Sequence, residues 1–185
     1  MTSQPENSNT SAPLEGFARL EPAMTISCEL VGQFPCGDIH TGSTLACVPF
    51  SGGYIRSVEG FEPKVDFTIK AGHDWFRVDA DKKFGRLSIS AVAADAEGQA
   101  LRVIADGITD LNEHTLPLLL GDPNAKTNPF GFGVNHMRFE TGHEPYKPLE
   151  GMMFASSQRF VKDEKTGAMI AELRLSRIIP GSGYQ

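Results

Sequence analysis

Along residues 134–140 the side chains alternate without a break. His136, Arg138 and Glu140 fall on one side of an extended strand, and Asn135, Met137, Phe139 and Thr141 on the other. The same two-residue period marks Met24–Gly32, and Lys64–Lys70, where Val65, Phe67 and Ile69 oppose Asp66, Thr68 and Lys70. It also marks Arg86–Ala93, where Leu87, Ile89 and Ala91 share a side. Shorter runs read as strands at Ser43–Phe50, Phe76–Asp79, Ala100–Ala105, Gly151–Ser157, Arg159–Val161 and Ala168–Ile179. Turn signals separate them: Ser51-Gly52-Gly53, Ala71-Gly72, Ala80–Lys83, a tight hairpin at Glu97-Gly98, Asp106-Gly107, and Lys162–Gly167. Only Asp110–Gly121 predicts a helix, capped by Thr109 or Asp110, stopped by Gly121 and kept short or kinked by Pro117. Residues 122–133 read as a loop whose Phe130 and Phe132 plug the end of the fold or form a lid over it.

About eight or nine strands and one short helix across residues 24–179 predict an all-β domain, a small closed antiparallel β-barrel. Closure removes the free strand edges and leaves space inside for one small ligand. Residues 23–180 form that single domain, between an N-terminal tail over 1–22, rich in Ser, Thr, Asn, Pro and Glu, and a C-terminal tail over 181–185.

Composition narrows the partners. The 185 residues carry 17 Lys plus Arg against 23 Asp plus Glu, a formal charge of −6 that repels nucleic acid and anionic lipid. Cys28, Cys36 and Cys47 form no CxxC pair, and no His/Cys cluster has metal-site spacing, so neither a disulfide framework nor a bound metal is expected. Without a signal-peptide pattern or an apolar run of membrane-spanning length, the expected location is the cytoplasm.

The sequence lacks a GxGxxG turn, a P-loop and a GxSxG elbow, which disfavours nucleotide, phosphoryl and serine-nucleophile chemistry and any cofactor. Acid/base chemistry or simple binding remains. A rise of about 3.3 Å per residue sets His136, Arg138 and Glu140 roughly 6.6 Å apart, a spacing that spans one aromatic ring. That row is either a proton-handling lane facing a ligand or a solvated face of cross-strand ion pairs; Met137 and Phe139 make an equally good inward set. Gly72-His73-Asp74-Trp75 is the second candidate cluster. Asp74 is either a carboxyl whose burial tunes it for proton transfer or a turn-capping side chain. Trp75 is either core or a stacking surface.

Several ordered blocks resemble the β-barrel family called domain of unknown function 3237, or UPF 0311. They are Glu29-Leu30-Val31-Gly32, Gly72–Trp75, Glu97-Gly98, Asp106-Gly107, the helix ending at Gly121, and Arg138–Gly142 followed by Tyr146 and Leu149. The resemblance implies a streptavidin-, lipocalin- or dirigent-like barrel, often a homodimer, with no settled active site. The chain departs from the family pattern at Val134-Asn135-His136 and at Lys147–Glu150, so its ligand-facing positions look re-specified. Similar barrels in fungal natural-product pathways imply a cofactor-free cyclase that adds a phenolic hydroxyl across the alkene of a prenylated aromatic polyketide, forming a dihydrobenzofuran. On that reading Glu140 or Asp74 donates the proton, Arg138 holds the phenolate and His136 relays the proton. Trp75, Phe132 and Phe154 shield the cation. The alternatives are a non-catalytic carrier, another cofactor-free isomerase or cycloaddition catalyst, and a dimer-forming protein with a filled barrel.

Overall fold

Alternation runs through several positions that read as breaks, and the strands are longer for it. The computed structural model describes residues 15–182; the tail residues 1–14 and 183–185 lie outside them. The strands are β1 (Arg19–Leu30), β2 (Phe34–Asp38), β3 (Thr44–Ser57), β4 (Asp66–Val78) and β5 (Phe84–Ala94). They continue with β6 (Ala100–Asp110), β7 (Gly133–Glu140), β8 (Phe154–Lys162) and β9 (Met169–Ile179). All pair antiparallel, in the order β1-β9-β8-β7-β6-β5-β4-β3-β2, and a β1–β3 pairing closes the ring. The fold is therefore the expected closed barrel, of eight strands, with β2 as one extra strand.

Glycine and bulges explain the longer strands. Ser51-Gly52-Gly53 is a bulge within β3, not a turn: the β1–β3 register shifts between Ser27 and Glu29, and Gly52 and Gly53 adopt φ of 73° and 87°. A Cβ on Gly53 would collide with the Ser27 carbonyl. β3 pairs with β2 from Thr44 to Cys47, and with β1 from Phe50 through this corner to Ser57. Asp106-Gly107, also read as a turn, lies inside β6, where Gly107 makes room for the Asn135 side chain.

Three further expectations change. Residues 19–22, assigned to the tail, pair with β9 from Ile179 to Ser176. The helix spans only α1, Leu116–Leu119, because Asp110 completes β6 and Asn112 Oδ1 accepts the His114 and Thr115 backbone N–H groups to start a turn. Gly121, at φ 70°, ends it as expected. Phe130 and Phe132 are neither lid nor plug. Phe130 lies beneath the Arg159 and Arg174 guanidiniums, at 4.9 and 5.4 Å, and Phe132 stacks on His114 at 5.4 Å. Their loop is fixed by the buried Asn128, whose Oδ1 accepts the Phe160 N–H at 2.6 Å.

The core sits at the end where β7 finishes. Phe61, Phe139 and Phe154 pack edge to face there, with Phe67 against Tyr146 at 4.7 Å. Beneath them lies a 3-10 segment, Glu144–Gly151, with Leu149 fully buried. Toward the other end the interior is open. No helix among the described residues is long and apolar enough to cross a membrane, which leaves membrane-crossing strands unaddressed.

Candidate functional site

The open part of the barrel is a cavity of about 340 Å³, within the roughly 300–1,000 Å³ of small-molecule pockets. Its walls are aliphatic and aromatic, from Ile26, Ile69 and Phe76 round to Val103, Met137 and Leu173. Gly32 and Gln33 of the β1–β2 turn, Leu119 to Gly121 at the end of α1, and Met169 rim the mouth. Leu120 is 80% exposed there, with Val31 and Phe34 also exposed nearby in sequence to Gln33, an apolar approach suited to a hydrophobic ligand.

Among the described residues, Asp74 is the one acidic or basic side chain lining this cavity. Its inward direction comes from a bulge. Phe67 and Ile69 point inward at odd positions; the β4–β5 register then shifts between Ile69 and Ala71, and the inward set becomes Gly72, Asp74 and Phe76. Gly72 carries no side chain because Phe50 and Ala91 fill that space. Next to Asp74 the β4–β5 pairing lapses between Asp74–Ile89 and Arg77–Arg86, with the register unchanged. Asp74 Oδ1 accepts the Ser88 N–H at 2.8 Å.

Asp74 is only 8% exposed. Burial pushes its carboxyl up to about 7; the Ser88 N–H opposes that rise and the Asp106 carboxylate adds to it. An acid poised there gives up and takes back a proton at neutral pH. Cys28, from β1, shares the cavity, its thiol 3.8 Å from the Ala171 carbonyl. Burial pushes that thiol up to about 12, so it stays protonated and is no nucleophile at neutral pH.

The other candidate residues do not converge on Asp74. His136, Arg138 and Glu140 project outward, and Asn135, Met137 and Phe139 inward, because burying Arg and Glu costs far more than burying Met and Phe. His136 Nε2 lies 3.6 Å from Asp106 Oδ2, and Glu140 pairs with Arg102 at 2.8 Å, both across β6–β7 on the exposed face. Trp75 faces outward beside His73, 43% exposed. Phe132 is outside the cavity, and Phe154 is buried in the aromatic packing at the closed end. None of the three lines the pocket. His136→Ala, Arg138→Ala and Glu140→Gln are accordingly expected to change ligand affinity and turnover by less than about twofold and stability by under about 0.5 kcal/mol. Titration calorimetry and thermal melts beside the wild type check this.

Gln158 and Cys28 line the cavity without having been singled out from sequence. A signal for Gln158 was present: Phe154, Ser156, Gln158 and Phe160 share one side of β8, so two phenylalanines place the polar pair inward. Among the described residues no group of three or more His, Cys, Asp or Glu is placed to hold a metal.

An apolar chamber with one tuned acid and few hydrogen-bonding groups defines a barrel compatible with binding or transforming a small molecule. The chain belongs to the family described as protein of unknown function (DUF3237), whose profile matches residues 18–178. Its fold is similar to that of a conserved protein of unknown function from Rhodopseudomonas palustris, at 20% identity and a TM-score of 0.71, covering 88% of this chain and 99% of that one. It is also similar to a β-barrel-like protein from Acinetobacter baumannii, at 19% identity and a TM-score of 0.61, covering 90% and 99%. A third similar structure is an enzyme from Penicillium herquei, at 13% identity and a TM-score of 0.54, covering 89% and 98%. No curated protein matches the chain.

Proposed function

We propose that the protein is a cofactor-independent acid/base cyclase. It closes a dihydrobenzofuran ring on an aromatic molecule by adding a phenolic hydroxyl across a prenyl-derived alkene. The observation that carries this reading is Asp74, a carboxyl tuned to about 7 inside an apolar cavity. The similarity in fold to an enzyme from Penicillium herquei supports a catalytic role over pure storage.

The step balances on Asp74 alone. Its carboxyl delivers a proton to the terminal CH2 of the alkene, which becomes a methyl group, the phenol oxygen bonds to the adjacent CH carbon, and the phenol proton passes to the Asp74 carboxylate. The acid is restored with no oxidant or reductant. Apolar walls keep water from trapping the cationic carbon. Among the described residues, no Lys, Arg or His lines the cavity. The phenol therefore enters neutral and loses its proton only as the carbon–oxygen bond forms. Arg138 and His136, on the outer face, take no part.

The test is turnover of a hydroxyaryl ketone bearing an ortho 1,1-dimethylallyl group, whose alkene ends in CH2, by purified protein, without added cofactor or metal, in H2O and D2O. We expect one enantiomer of an isomeric product, one deuterium in the new methyl group, and a rate that falls as pH rises through about 7. Saturable binding with product forming no faster than in buffer would overturn catalysis and leave a carrier.

A further inference from the structure

Gln158 is a further polar side chain of the cavity wall, and its amide nitrogen is left free. The side chain is 4% exposed, on the inward face of β8. Asn135, on β7 opposite Ser156 and diagonal to Gln158, donates through Nδ2 to Gln158 Oε1 at 2.9 Å and to Ser156 Oγ at 3.2 Å. Both Asn135 N–H groups and the Gln158 carbonyl are thereby used. Two buried atoms of the pair have no partner among the described residues: Asn135 Oδ1, turned toward Gly107, and Gln158 Nε2, a donor on the cavity wall.

Two glycines are shaped around this pair. A Cβ on Gly107 of β6 would collide with Asn135 Oδ1, and one on Gly133 would stand 2.6 Å from Gln158 Cγ and 2.7 Å from Nε2. Only glycine at both positions lets the amides lie flat against the wall. A buried, oriented N–H left without a partner is costly, and native structures satisfy such groups with protein, water or ligand.

We propose that Gln158 is the ligand-orienting residue of the cavity, donating its Nε2 hydrogen bond to the carbonyl oxygen of an uncharged, largely apolar aryl ketone. Asn135 is a positioning residue that fixes the amide with its N–H toward the cavity. The inference rests on the reading of the cavity as a small-molecule site and adds the class of molecule. A donor selects an acceptor. The lack of Lys, Arg or His among the described residues of the wall disfavours a carboxylate, sulfonate or phosphate in that place. A carbonyl anchored on β8 leaves the rest of the ring system to reach Asp74 on β4, across the chamber's apolar walls.

Two probes of matched shape test this, 2-acetylnaphthalene and 2-ethylnaphthalene, titrated calorimetrically into the full chain. The wild type should bind the ketone at least about tenfold more tightly. Gln158→Met should erase that preference and leave the hydrocarbon's affinity within about twofold; Asn135→Ala should reduce the preference without erasing it. Independently of any variant, infrared spectra of carbon-13-labelled ketone bound to wild type should show a carbonyl stretch lowered relative to an apolar solvent. Equal affinities for the two probes, a preference that survives Gln158→Met, or an unshifted stretch would overturn the assignment. If neither probe binds, the small-molecule reading of the cavity falls as well. If both bind equally, only the role of Gln158 falls.

Discussion

Asp74→Asn is expected to cut turnover at least about 100-fold, in line with the 10²–10⁴ that a placed general acid supplies, and to stabilise the fold above neutral pH. The carboxyl sits at about 7 in the folded chain and near 3.9 in the unfolded one. Below about pH 4 both states hold the proton and the group is neutral in its effect. As pH rises from there, the unfolded state releases the proton first and gains. The wild type thus loses stability on the order of 4 kcal/mol by the time pH passes about 7, and no more beyond. Asparagine keeps an oxygen for the Ser88 N–H and has no proton to lose. The difference in melting temperature, variant minus wild type, should therefore be near zero at pH 4 and clearly positive at pH 8. A difference that stays flat across that range would mean that Asp74 is not held protonated by its surroundings.

Gly53→Ala is expected to be the most damaging small substitution in the barrel, lowering stability by about 3 kcal/mol or more. Two costs combine there: a left-handed backbone at φ 87° and a collision with the Ser27 carbonyl. Its neighbour separates them. Gly52 has φ 73° but open space where an added methyl would sit, so Gly52→Ala should cost only about 1 kcal/mol. Urea denaturation at constant slope measures both. Equal losses at the two positions would show that the close approach of β1 to the β3 corner does not matter.

The barrel was legible in the sequence because alternation is a direct record of a strand with one buried face. Residues 86–93 and 134–140 show it, and the hairpin at Glu97-Gly98 falls between β5 and β6, with Gly98 at φ 81°. What alternation does not record is which set faces in when both are chemically mixed. On β7 the answer came from desolvation: Met137 and Phe139 are cheaper to bury than Arg138 and Glu140. On β4 it came from the bulge near Ala71, which exchanges the fates of Asp74 and Trp75. A continuous strand from Phe67 would have turned the tryptophan inward and the carboxylate out. The polar pair on β8 was hidden for another reason. Its partner Asn135 comes from a different strand, and the free donor emerges only when the two amides meet.

The closure of the ring also governs how the chain comes together. β1 runs between β9 and β3, with Arg19 opposite Ile179 and Met24 opposite Ser57. During synthesis the first strand emerges long before its last partner. It can settle on β3 early, but its other edge stays bare until the residues of β9 have been made. Contacts spanning nearly the whole chain are slow to form, since the entropy of closing so large a loop must be met before they stabilise anything. The chamber around Asp74 is therefore among the last features to take shape, and an unfinished chain presents to its surroundings the same aliphatic wall that the finished one reserves for its ligand.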